Sequence, residues 1–194
     1  MRTIDFDYDD AVRKATRLFW RDGYVGTSLR NLLKVMGIGE GSFYNTIKSK
    51  KRLYLECLKR YEETEGYKRR QALASAPTAR LGIRAMFKAV LDCLDDPRAP
   101  SRLCMMAAMV SGEVLSDPDL RKVVEDGMAS IESQIAERLK HDRKAGALPA
   151  DLDALAVASV ITTYGQGLWR KAMLDYDRGH FERQIDIFLA GLGL

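Results

Sequence analysis

The sequence predicts an all-α protein, with a small amino-terminal three-helix head carrying a helix-turn-helix and a larger helical body, about nine helices in all. Three observations carry the prediction. Apolar residues recur at three- and four-residue spacing along the chain, Gly and Asp-Pro pairs separate the periodic runs, and no segment sustains the alternation of a strand. On the first helix Arg13, Arg17 and Arg21 fall at i, i+4 and i+8, either as a row that tracks a nucleic-acid backbone or as a solvated face. Thr27 is an N-cap type for the second helix, where Leu29, Leu32, Leu33 and Met36 form an apolar face and Gly37 is the stop. A third helix fits Glu40 to Thr46, with Phe43 and Ile47 inward and Ser42, Tyr44, Asn45 and Thr46 outward. Two short helices joined by a glycine turn form the helix-turn-helix pattern, whose second helix enters the major groove.

Ser49 reads as the N-cap of a fourth helix running from Lys50 to the polar stretch near Arg70, and Pro77 bars its continuation. Lys50, Lys51 and Arg52 then occupy its first turn, where each exposed cation costs about 0.3–1 kcal/mol against the macrodipole. A nearby phosphate reverses that sign, so the turn is either a phosphate contact or a solvated basic turn. The fifth helix takes Ala79 to Leu94, with Ile83, Met86, Phe87, Val90 and Leu94 on one face, and Asp96-Pro97 ends it. The sixth, Ser101 to Leu115, is apolar nearly all round and is expected to be central. Asp117-Pro118 opens a long seventh helix toward Lys144, with Gly146 as its stop. Asp151 or Asp153 opens the eighth, which reaches about Tyr176, and the ninth follows Gly179 through Leu189. The expected division is a head over 1–50, a connecting helix over 51–76 and a body over 77–194.

Charge supports this layout. The net charge of +4 is uneven: residues 1–60 hold thirteen Lys/Arg against seven Asp/Glu, and the remainder eighteen against twenty. A basic head on a near-neutral body suits a polyanion partner. The acidic start, Ile4 to Asp10, is unlike a basic-then-apolar export signal. The longest uncharged stretch, between Asp153 and Arg170, is shorter than the about 20 apolar residues a membrane span needs. The chain is therefore expected to be cytoplasmic. Cys57, Cys93 and Cys104 form neither a disulfide framework nor a metal quartet, so no metal or cofactor is expected.

The motifs resemble those of the tetracycline-repressor (TetR/AcrR) family of transcriptional regulators. Gly23-Tyr24-Val25-Gly26-Thr27-Ser28 is similar to that family's turn after its first helix, and Met36-Gly37-Ile38 to its helix-turn-helix turn. Ser42-Phe43-Tyr44-Asn45 with Lys48-Ser49-Lys50 resembles its recognition helix and the start of its fourth helix. The strong likeness covers residues 8–60, and Leu148 to Asp153 is similar to an interhelix loop of one branch. The resemblance implies phosphate contacts from Thr27, Ser28, Tyr44 and Lys50. It places Arg30, Glu40, Ser42 and Asn45 near base edges, with Thr46 and Lys48 completing the DNA-facing set. Glu40 either accepts from cytosine N4 or simply complements the helix dipole. This sequence departs from the family at Gly39, which removes a capping hydroxyl, at Gly41, which costs about 1 kcal/mol of helix stability relative to Ala, and at Ile47, where the family has an aromatic. The recognition helix is accordingly expected to form poorly until it meets DNA.

The resemblance further implies a homodimer, a pseudo-palindromic double-stranded operator and a small apolar effector whose binding releases DNA. Candidate pocket residues are Met86 and Phe87 on the fifth helix, Cys104, Met105 and Met109 on the sixth, Met128 on the seventh, and Tyr164 and Trp169 on the eighth; each is otherwise plain core. Leu155, Ala158, Ile161 and Leu168, with Ile185, Phe188 and Leu189, exceed what one core needs and are the expected dimer surface. One branch of the family senses electrophiles and oxidants through a cysteine placed like Cys104, which makes a thiol-based repressor the alternative, although Leu103 replaces the usual preceding glycine. An enzyme is disfavoured, since His141 and His180 belong to no metal or triad spacing. A helical adaptor without DNA binding is the third reading, and Tyr44, Lys48 and Lys50 argue against it.

Overall fold

In the computed structural model, which describes residues 6–194, Asp7 caps α1 (Tyr8–Gly26) by accepting the Asp10 amide at 2.9 Å. Ile4 and Asp5 of the acidic start lie outside the described residues. α1 buries Ala11, Val12, Ala15, Leu18 and Phe19 and kinks at Gly23. The arginine row on its outer side is engaged within the chain: Arg13 pairs with Asp10, Arg17 donates to the Arg98 carbonyl at 3.1 Å, and Arg21 pairs with Asp22 at 2.7 Å.

The second helix, α2 (Leu29–Met36), is capped by Ser28 and not by Thr27. Ser28 Oγ accepts the Asn31 amide at 3.1 Å, whereas Thr27 is fully buried and its hydroxyl donates to the Gly23 carbonyl at 2.6 Å. Leu32 and Met36 are buried, Leu29 and Leu33 half-buried. Gly37 ends the helix at φ 70°, in the left-handed region that suits glycine, and its amide returns to the Leu33 carbonyl at 3.0 Å. α3 (Glu40–Thr46) is a formed helix despite the lack of a side-chain cap at Gly39. It is held from below: Phe43 and Ile47 are buried in the head core with Phe19, Leu32, Leu53 and Tyr54.

Ser49 caps α4 (Lys50–Tyr61), which continues through a π-helical segment (Glu62–Gly66) into α5 (Tyr67–Ser75). The strut is thus continuous but carries one wider, less tightly wound turn. The Thr64 hydroxyl takes the Arg60 and Tyr61 carbonyls, each at 3.1 Å, and the Arg70 guanidinium takes the Glu62 carbonyl at 2.8 Å. Side chains inserted into the carbonyl ladder are a sufficient local cause.

α6 (Ala79–Asp95) follows its prediction. The single sixth helix does not exist: two short helices, α7 (Met105–Ala108) and α8 (Gly112–Leu115), replace it. Ser111 is extended, and its hydroxyl accepts the Val114 amide at 3.4 Å, so a new helix is capped where the apolar run suggested continuity. α9 (Pro118–Lys144) begins at its Asp117 cap, α10 (Ala154–Leu174) at Asp153, and α11 (Arg178–Gly191) at Asp177. In the body α5 packs on α6, α6 on α9 and α11, and α9 on α10. The head meets the body where Trp20 Nε1 donates to the Leu103 carbonyl at 2.9 Å and Lys51 pairs with Asp117 and Asp119 at 3.1 and 2.6 Å. No helix among the described residues is long and apolar enough to cross a membrane.

Candidate nucleic-acid interface and effector cavity

The exposed side of the head gathers most of the predicted DNA-facing residues. Ser28, Arg30, Glu40, Asn45, Thr46 and Lys48 are exposed, Tyr44 is 48% exposed, and Ser42 is half-buried. Thr27 is the exception: buried and already hydrogen-bonded, its side chain does not reach this surface. Tyr44 is fixed edge-on to Phe43, ring centroids 5.4 Å apart, so its phenol projects from a rigid base. Lys48 lies in the left-handed region at φ 79° and folds its ammonium onto the Asn45 carbonyl at 2.6 Å, closing the C-terminus of α3.

The basic first turn of α4 divides its work. The Lys50 ammonium sits 4.6 Å from the centre of the Tyr24 ring, and burial lowers its pKa from the ordinary lysine value. A cation–π contact of this kind holds the ammonium against the ring. Lys51 turns the other way, into the ion pairs with Asp117 and Asp119.

A cavity of about 360 Å³ lies in the body between the π segment, α5, α6, α9 and α10. Met86, Phe87, Cys104, Met128 and Trp169 line it, as the sequence suggested. Met105 and Met109 do not: both are buried in the core, and Met106 on α7 lines the cavity instead. Tyr164 is also excluded, because its ring stacks on Phe188 with centroids 3.9 Å apart. Sequence reasoning missed the polar lining of Glu62, Arg69, Arg70, Gln134 and Gln166. Their signal was present, in acidic and basic residues seven and eight apart on one helix, but it reads as a solvated face.

The three thiols differ in setting. Burial pushes Cys57 up to about 12 and Cys93 up to about 11. Cys104 is buried, precedes α7 and lines the cavity with Arg69. Burial raises the neighbouring Tyr61 phenol well above its ordinary range.

The expected dimer residues are mostly interior. Ala158, Ile161, Leu168, Ile185 and Leu189 are buried within the protomer, and Phe188 is half-buried against Tyr164. Only Leu155 of that set is exposed, at 64%. The exposed seam is rotated around α10 to Ala156, Val160, Thr163, Gly167 and Leu174, and on α11 to Ile187. Leu174 and Ile187 are 90% and 73% exposed. The predicted face was taken by α9 and α6, which cover the inner side of α10 and α11.

A basic helix-turn-helix head joined by a continuous strut to a helical body with a cavity defines a class of ligand-coupled DNA-binding regulators. A family model described as "Tetracyclin repressor-like, C-terminal domain" matches residues 77–188, and the chain belongs to the tetracycline-repressor family. The uncharacterized HTH-type transcriptional regulator YezE of Bacillus subtilis (strain 168) is 26% identical over 192 residues, 98% of each chain. The HTH-type transcriptional repressor ComR of Escherichia coli (strain K12) is 24% identical over 164 residues, 84% of this chain and 78% of that one. Among solved structures, a cysteine-mutant form of the TetR family transcriptional regulator CifR complexed with 26-bp double-strand operator DNA superposes with a TM-score of 0.87. It is 28% identical and covers 97% of this chain and 98% of its own.

Proposed function

We propose that this protein is a homodimeric transcriptional repressor that binds a pseudo-palindromic operator and is released from it by a small effector. The observation that carries this reading is the exposed helix Glu40–Thr46 on a basic head, in a chain that matches operator-bound CifR over nearly its whole length. Residues 1–50 form the DNA-binding head, 51–76 the connecting strut, and 77–194 the effector-binding and dimerisation body. Arg30, Glu40, Ser42 and Asn45 face base edges, Ser28, Tyr44 and Lys50 hold phosphates, and Thr46 and Lys48 complete the DNA-facing surface. Two copies pair through the exposed seam of Ala156, Val160, Gly167, Leu174 and Ile187, which presents two recognition helices to grooves about 34–36 Å apart or a multiple of that. The protein acts in the cytoplasm and is not an enzyme.

The effector occupies the body cavity, which touches the strut at the π segment. A ligand that prefers the DNA-incompetent arrangement shifts the strut and with it the head, and a coupling of about 1–3 kcal/mol is sufficient. A second reading rests on one observation: Cys104 lines this same cavity, so its covalent modification by an electrophile fills the space a ligand would take. Gel shift with DNA flanking the protein's own gene tests the main reading. A salt-sensitive shift that survives competitor DNA is expected; no shift at low salt contradicts it and favours the adaptor.

A further inference from the structure

The charged end of the body cavity is not balanced. Arg69 and Arg70 share one lining carboxylate: Arg69 Nη2 lies 3.2 Å from Glu62 Oε1, and Arg70 Nη1 lies 3.0 Å from Glu62 Oε2. The other lining residues are neutral, which leaves an excess of one positive charge at this end. The Arg69 side chain is only 16% exposed. Its guanidinium carries five N–H donors; it bonds to Glu62 and lies 5.8 Å from the centre of the Tyr61 ring, which leaves donors free. A half-neutralised buried cation with donors to spare is stabilised by an incoming anion far more than by a neutral group.

A second polar group points to the same ligand from elsewhere in the lining. Gln166 Oε1 is buried without a hydrogen-bond partner, and its amide nitrogen meets only the Met128 sulfur at 3.7 Å. Met86, Phe87, Val90, Met128, Ile131 and Trp169 supply apolar wall. We propose that the effector is an amphipathic organic anion, with a carboxylate-class head on Arg69 and Arg70, an apolar body along these walls and a hydrogen-bond donor for Gln166. This rests on the cavity being the effector site.

The placement also explains how occupancy reaches the head. Glu62 opens the π segment, and Arg70 holds both its carboxylate and its backbone carbonyl, at 3.0 and 2.8 Å. The tether runs directly over Gly66, where a Cβ would collide with Glu62 Oε2. A ligand carboxylate competes with Glu62 for the arginines, and so loosens the one irregular turn of the strut on which the head is carried.

The test uses the full-length protein with two sets of matched probes: decanoate, decanamide and decylamine, and cinnamate with cinnamamide. Calorimetric titration is expected to show a carboxylate preferred over its amide by about tenfold, with the amine weakest. Arg69→Gln should erase that preference. Glu62→Gln should do the opposite and tighten carboxylate binding, a change that loss of fold cannot mimic. Equal binding of amide and carboxylate, a preference for the amine, no binding by any probe, or a Glu62→Gln protein with unchanged preference overturns the proposal. Gel shift on the same samples separates the two readings. A carboxylate preference without any operator shift counts against the repressor alone, and an operator shift without the preference counts against the anionic effector alone.

Discussion

Lys51 in the first turn of α4 reaches Asp117, the residue that caps α9, with 3.1 Å between Nζ and Oδ2. The sequence placed this lysine where the helix dipole repels it, and the structure shows the compensation: Asp119 and then Asp117 raise its pKa through hydrogen bonds and so keep it charged. The pair ties the head to the body at one point. Asp117→Ser retains a capping side chain while deleting one of the two carboxylates that pair with Lys51. Lys51→Gln and Asp117→Ser are each expected to lower the melting temperature slightly, and the double variant no further than the worse single one. Additive losses in thermal melts would show that the two side chains do not act together.

Lys50 and Arg30 should fail in different ways. Lys50→Ala should remove the proposed phosphate contact, so that binding weakens about equally for all sequences and the salt slope falls by about 1. Arg30→Ala should instead relax preference at particular base pairs, by about 1–3 kcal/mol at each position read. Anisotropy titrations over a set of single-base operator variants at two salt concentrations distinguish these patterns. A uniform loss for Arg30→Ala removes it from the base-reading set.

The thiols make a prediction about selectivity. With Cys57 pushed up to about 12 by burial, its thiolate fraction near neutral pH is on the order of one in ten thousand or less. Peptide mass spectrometry after brief exposure to N-ethylmaleimide should find Cys104 modified and Cys57 intact. Cys104→Ser should abolish any release of DNA by that reagent; release that persists in the variant assigns the thiol to packing.

Asp142 is a buried staple. Its carboxylate accepts the Ala79 amide at the start of α6, and Arg138, 3.4 Å away, also holds the Ala76 carbonyl at 2.7 Å. Burial pushes the carboxyl up, but the Ala79 amide, His141 and Arg138 outweigh it and hold it below the usual carboxylate range. A depressed folded-state pKa contributes stability at neutral pH that is lost as pH falls through that value. The gap in melting temperature between the native protein and Asp142→Asn should narrow below about pH 4. At neutral pH the substitution should cost about 2–3 kcal/mol. A gap that widens in acid contradicts this account.

Helix ends were legible because caps are local chemistry. Asp117-Pro118, Asp153 and Ser49 each open a helix where the residue types require it, and Gly37 ends one. What escaped depends on contacts distant in the chain or on competition between neighbours. Ser28 caps the helix while the buried Thr27 hydroxyl donates to the Gly23 carbonyl. The π segment arises from Thr64 and Arg70 bonding to backbone carbonyls, and no periodicity announces it. Ala158 and Ile161 read as surplus apolar surface, yet which side of α10 is covered depends on where α9 and α6 lie. The cavity's apolar walls were legible from Met86, Phe87 and Trp169, whereas Arg69 and Arg70 look like solvated charges until the fold turns them inward.

A basic helix-turn-helix head, presented twice by a paired helical body, is expected to read one duplex. Hydroxyl-radical footprinting on the DNA flanking the protein's own gene reads this out. Two protected patches on one face of the helix, about one turn or a whole multiple of it apart and lost together in Lys50→Ala, are predicted. A single patch, or protection that does not depend on Lys50, would contradict the account.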